Sequence, residues 1–229
     1  MTRSRASQAD ASRYMAGIGT VLLFGLVAFS PSVLTAQSPA PAGSPVQVGD
    51  RWTYDQRDEI TGLPTITFTH TVTEVSPAEL VMRVTTQGKT GSSIWIYDHD
   101  WNLIDRGNFK YKPNNGGGIK PPLAVGKEWR SEHETRSTQS SYVAKTSVAA
   151  KVTAQETITT SAGTFETFKI ESRRREVSSA DPSKSAEYQD TGWYAPQINY
   201  WVRKLLVTRL QKRITANTSE ELISFGRKQ

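Results

Sequence analysis

An all-β antiparallel fold is what this sequence predicts, and three observations carry that expectation. Apolar and polar residues alternate with a period of two over most of the chain after residue 46. Threonine, valine and aromatic residues fill those runs. Short clusters of Gly, Pro, Ser and Asn separate them, and strands joined by tight turns pair antiparallel. The expected architecture is a large curled antiparallel sheet or open half-barrel, with two similar halves as one way of building it.

The chain begins with a leader rather than a strand. Arg3, Arg5 and Arg13 precede an apolar run from Met15 to Phe29, Ser30-Pro31 breaks it, and small residues follow to Ala42. A basic segment, a short apolar segment and a small-residue exit form a secretory signal. The exits are after Ala36 or after Ala42, and the first lies nearer the apolar run. A retained anchor is the alternative, but a spanning helix needs about 20 apolar residues, and this stretch is shorter and carries Gly17, Gly19 and Gly25. No twin arginine is present, which favours a Sec-type route. The expected organisation is a signal peptide over 1–36, a Pro/Ala/Ser tether over 37–45 and one β-rich domain over 46–229. Membrane contact is then transient and through the leader alone, with the mature protein in the bacterial periplasm or secreted.

Within the domain, strands are expected at Arg51 to Asp58, Thr65 to Val75, Leu80 to Gln87, Ile94 to Tyr97, Tyr142 to Thr160, Thr164 to Glu176, Ile198 to Ile214 and Glu221 to Phe225. The second shows the pattern most plainly. Ile66, Phe68, His70 and Val72 share one face and the threonines from 65 to 73 share the other. Gly62-Leu63-Pro64, Ser76-Pro77, Gly88 to Gly91, Ser161-Ala162-Gly163 and Asn217-Thr218-Ser219 supply turn chemistry between runs. The run from Ile198 to Ile214 also fits a helix face; its even positions favour a strand.

One internal echo stands out. Val48-Gly49-Asp50-Arg51-Trp52 recurs as Val125-Gly126-Lys127-Glu128-Trp129. A glycine permits a bulge or turn at the start of a strand, and the tryptophan supplies a large apolar anchor. Together with Ser161 to Ile170, Trp193-Tyr194-Ala195-Pro196 and Glu221 to Phe225, this pattern resembles the domain-of-unknown-function 3108-like group of exported bacterial β-proteins. The resemblance implies an extended, curled antiparallel sheet like the open half-barrels of lipoprotein carriers, and no established activity. The chain departs from many such carriers in lacking a cysteine to lipidate.

Composition narrows the function classes. No cysteine means no disulfide, thiol catalysis or thiolate metal site. Removing residues 1–36 leaves a balance of +4, from 25 basic and 21 acidic residues. The basic residues are densest at Arg173-Arg174-Arg175 and from Arg203 to Arg213. Such runs suit either a solvated strand face or an anionic partner such as lipid head groups or an envelope polymer. Nucleic acid is not an expected partner, because no recognition motif is present.

The chemical motifs fail one by one. Gly88-Lys89-Thr90 lacks the upstream glycine of a phosphate loop, where Arg83 stands. Asp98, Asp100 and Asn102 begin a calcium-loop spacing, but Leu103 and Phe109 occupy required positions, so a hairpin turn explains them better. His70, His99 and His133 show no zinc spacing, and no G-x-S-x-G elbow occurs. No metal, cofactor or catalytic residue is expected.

Aromatic residues remain. Trp52, Trp95, Trp129, Trp193, Tyr200 and Trp201 are the candidate ligand-binding residues, able to line a groove for an acyl chain or to fill a core. The leading expectation is a non-catalytic exported envelope protein that binds an apolar or amphiphilic, lipid-like ligand on a concave sheet face. Two alternatives stand beside it: an envelope scaffold docking a protein through strand edges, and a hydrolase with a dispersed site.

Overall fold

The computed structural model describes residues 43, 45–113 and 117–227. The leader expected over 1–36, and the tether over 37–45 apart from Gly43 and Pro45, lie outside the described residues. Gly43 donates its N–H to the Pro196 carbonyl at 3.1 Å.

Twelve strands run in sequence through the described residues: β1 Arg51–Asp58, β2 Pro64–Val75, β3 Leu80–Thr86, β4 Ser93–Tyr97, β5 Leu103–Asp105, β6 Phe109–Lys112, β7 Glu128–Ser137, β8 Val143–Thr160, β9 Gly163–Ser178, β10 Ser185–Ala195, β11 Tyr200–Leu210 and β12 Arg213–Gly226. Each pairs antiparallel with its neighbours in sequence. The first closes on the last, from Arg51↔Gly226 to Asp58↔Thr218. The antiparallel all-β class is therefore observed, but the open half-barrel is corrected to a closed barrel. Alternation is identical in an edge strand and a seam strand, so the local pattern carries no sign of closure. The seam is made by long-range partners such as Trp52 and Phe225, whose rings stack at 5.9 Å.

Alternation decides what each face carries. Trp52 and Tyr54 of β1, Phe68, His70 and Val72 of β2, and Leu80 and Met82 of β3 are buried inward. Outward positions are polar, with Thr53 and Thr69 hydroxyls bonded at 3.0 Å and Lys151 paired with Glu128 at 2.7 Å. Among the described residues no helix is long and apolar enough to span a bilayer.

The echoed pentapeptides build the same backbone device. In the first copy, Gly49 N–H donates to Val72 O, Val72 N–H to Asp50 O, and Asp50 N–H to Gln47 O. In the second, Gly126 N–H donates to Val152 O, Val152 N–H to Lys127 O, and Lys127 N–H to Ala124 O. Both glycines have positive φ, 96° and 90°, where a β-carbon is disfavoured. Val72 and Val152 are both buried, and each is followed by a shift in pairing register.

One end of the barrel is packed solid. Its floor consists of Trp52, Leu80, Trp101, Ile119, Tyr194 and Ile198. The long β8–β9 hairpin bends at its bulge beside Val152 and reaches β12, where Ser161 Oγ donates to the Ile223 carbonyl at 3.4 Å. Its Phe165 and Phe168 join Leu222 in the same cluster.

The largest departures from the expected boundaries lie near the end of the chain. The strand expected from Ile198 begins at Tyr200, after a 3-10 turn at Pro196–Ile198 and a left-handed Asn199. The run to Ile214 breaks at Gln211-Lys212, where two successive positive φ values, 48° and 68°, make a two-residue hairpin. That turn ordinarily uses Asn or Gly, so the sequence gives no signal for it. Asn217-Thr218-Ser219, expected to be a turn, lies inside β12.

Candidate functional site

A closed ring of twelve strands is wider than its side chains can fill. Beyond the floor, the barrel encloses a cavity of about 440 Å³, within the range that accommodates small organic ligands. Aromatic side chains form its lower wall. Trp95, Tyr97, Trp101, Tyr54, Tyr200, Trp129 and Trp201 line it.

The six candidate aromatics divide. Trp95, Trp129, Tyr200 and Trp201 line this lumen. Trp52 does not; it is fully buried in the floor against Tyr200 at 4.5 Å and Trp101 at 6.2 Å. Trp193 is also outside the lumen. A register shift after Trp193 separates it from Tyr194, and its indole lies among Lys169, Arg203 and Glu156, to which its N–H donates at 2.5 Å. A concave outer groove of about 980 Å³ does cross β7 to β12, but charges of both signs line it, including Arg130, Glu171 and Arg173, and Trp129 alone of the candidates reaches it.

Gly192 makes room for one of the lining rings. A β-carbon there would lie 2.5 Å from the Trp201 ring, closer than atoms can approach. Gly192→Ala is therefore expected to push Trp201 out of place, shifting tryptophan emission and costing about 1–3 kcal/mol. Urea unfolding followed by fluorescence checks both effects.

Polar and charged groups also line the lumen, among them His70, His133, Arg106, Arg174, Lys204, Asp190 and Glu220. His70 Nδ1 and the Tyr200 hydroxyl share a hydrogen bond of 2.9 Å, while the buried His70 Nε2 has no partner. Burial first, then the charges of Lys204 and Arg106, lower the His70 pKa to about 3. His133 is lowered to about 4 by burial and by Arg174. Both imidazoles are neutral at ordinary pH. Burial also raises Tyr54 and Tyr200 well above the usual phenol range, so their hydroxyls stay protonated.

Three cations also line the lumen: Arg174 and Lys204 belong to the basic runs of the sequence, whereas nothing in the sequence marks Arg106. Arg106, Arg174 and Lys204 line the lumen, each against an aromatic face: Arg106 over Trp95 at 4.3 Å, Arg174 over Tyr188 at 4.0 Å, and Lys204 by Trp201 at 5.4 Å. For Arg174 and Lys204 the signal was available. In Arg173-Arg174-Arg175 the middle residue faces opposite to its neighbours, and Lys204 likewise faces opposite to Arg203.

The expected calcium-like segment is a turn. Asp98 Oδ1 accepts the N–H groups of Asp100 at 3.0 Å and Asn102 at 2.8 Å, and Trp101 takes a φ of 62°. Among the described residues no group of three His, Cys, Asp or Glu is placed to hold a metal ion.

No protein family and no curated protein matches the chain. Solved structures do resemble it. A candidate lipoprotein from Parabacteroides distasonis ATCC 8503 superposes with a TM-score of 0.53 at 14% identity, covering 82% of this chain and 99% of that one. A candidate exported protein from Bacteroides fragilis NCTC 9343, described as having a YmcC-like fold, gives a TM-score of 0.53 at 18% identity, covering 81% of this chain and 99% of that one. At these identities the likeness is one of fold. The chain shares its architecture with bacterial proteins described as exported or as lipoproteins.

Proposed function

We propose that the protein is a non-catalytic, exported envelope protein that holds an apolar or amphiphilic, lipid-like ligand inside its barrel. The observation that carries this reading is the aromatic-walled cavity of about 440 Å³. Export is supported by the leader pattern over residues 1–36 and by the descriptions given to the two similar structures. A periplasmic or secreted location, and kinship with the domain-of-unknown-function 3108-like group, belong to the same reading.

The scaffold alternative keeps a candidate edge, because the ring closes but the β8–β9 hairpin beyond Lys151 and before Phe168 pairs only with itself.

Titration of the purified protein with hexadecanol is the direct test. Trp95, Trp129 and Trp201 line the space the chain would occupy, so tryptophan emission is expected to shift and saturate. Native mass spectrometry is expected to show a bound molecule. No emission change together with an empty protein by mass would overturn the reading.

A further inference from the structure

We propose that the lumen selects ligands with an anionic head group, a carboxylate or a phosphate on an apolar tail; this rests on the ligand-binding reading above and specifies the ligand's class.

The charges in the lumen are Arg106, Arg174 and Lys204 against Asp190 and Glu220, an excess of one positive charge. Glu220 accepts a hydrogen bond from Gln56 Nε2 at 3.3 Å and lies opposite Lys204 in the β11–β12 pairing. None of the three cations, and neither of the two carboxylates, forms an ion pair within 4 Å among the described residues, where seven such pairs occur. The buried Nε of Arg174 has no hydrogen-bond acceptor, and neither does the buried Nδ1 of His133 on the same wall.

A half-buried guanidinium left without an acceptor is costly unless something completes it. The aromatic faces beneath these cations hold them in position but accept no hydrogen bond from them. Their fields overlap: Arg106 and Lys204 both act on His70, and Arg106 and Arg174 both act on Tyr111. The cations thus border one shared volume, beside a wall of Trp95, Tyr97 and Tyr200 suited to a tail. A head group with two or more anionic oxygens meets Arg174 in the fork geometry that guanidinium favours.

Competition against a bound fluorescent apolar probe tests this with four ligands of equal tail: hexadecanoate, hexadecyl phosphate, hexadecanol and hexadecylamine. The two anions are expected to displace the probe at concentrations about tenfold lower than the alcohol, and the amine to be weakest. The ratio of carboxylate to phosphate affinity identifies the preferred head. In Arg174→Gln, and separately in Arg106→Gln, the preference for acid over alcohol is expected to collapse, with far-ultraviolet circular dichroism confirming the fold. Equal affinity for all four, or an amine that binds best, overturns the anionic assignment while leaving the lumen reading intact. Failure of every ligand, alcohol included, overturns both.

Discussion

Replacing Trp52 with alanine is expected to lower the unfolding free energy by about 3–5 kcal/mol, the range for truncating a large buried aromatic side chain. Trp52 is fully buried, sits on the seam strand opposite Phe225, and touches the rings of Trp101 and Tyr200. It therefore joins the first and last strands to the floor, and alanine leaves a void between them that rigid strands cannot close. Against a total of about 5–15 kcal/mol for a domain, that loss brings the barrel near the limit of folding. Trp52→Phe keeps a ring in the site and is expected to cost less. Urea denaturation with the midpoint as readout checks the order. A loss below 1 kcal/mol for the alanine variant would show that the floor does not hold the seam together.

Acidification supplies the second large effect. His70 and His133 are neutral in the folded barrel, with pKa values of about 3 and 4, whereas in the unfolded chain both take up protons near pH 6.5. Below that pH the unfolded state binds more protons than the native state, so stability falls as pH falls. The loss begins near pH 6.5 and runs until each group titrates in the folded protein. Each histidine contributes a slope approaching about 1.4 kcal/mol per pH unit, so the pair approaches about 2.7 between pH 5.5 and 4.5. Chemical denaturation from pH 7.5 to 4.5 is expected to show a plateau and then this decline. His70→Gln is expected to halve its steepness. A flat profile across the range would mean that the imidazoles are not held neutral.

What the sequence made legible follows from what each strand faces. The β2 strand was readable because Phe68 and Val72 pack inward against a full core while its threonines face out. By contrast β7 and β10 carried no apolar alternation, since their inward positions include Ser131, His133, Thr135, Asp190 and Gly192, several of which border the lumen instead of the core. A strand lining a polar hollow looks like a loop to a pattern that counts apolar residues. Short β5 and β6 offer three and four residues, too few for any period to register.

The site shows the same division. Aromatics can be counted in a sequence, so the sequence alone picks out Trp95, Trp129, Tyr200 and Trp201. Whether a given ring fills a floor or lines a void depends on how far the neighbouring strands stand apart, which is a property of closure. Trp52 and Trp129 occupy equivalent places in the echoed pentapeptides and differ only in this respect. The basic runs were read as one surface because composition counts charges without assigning them a side; strand pleating sends Arg174 and Lys204 inward.

The twin glycine clamps have a consequence for how this architecture can change over time. In each corner the main-chain bonds that tie the glycine to the valine of the facing strand do not involve the tryptophan that follows, which is free to take up a different occupation without disturbing them. One ring has become masonry and the other a window frame. A molecule built this way can enlarge or shrink its interior chamber by exchanging single bulky residues beside an unaltered hinge.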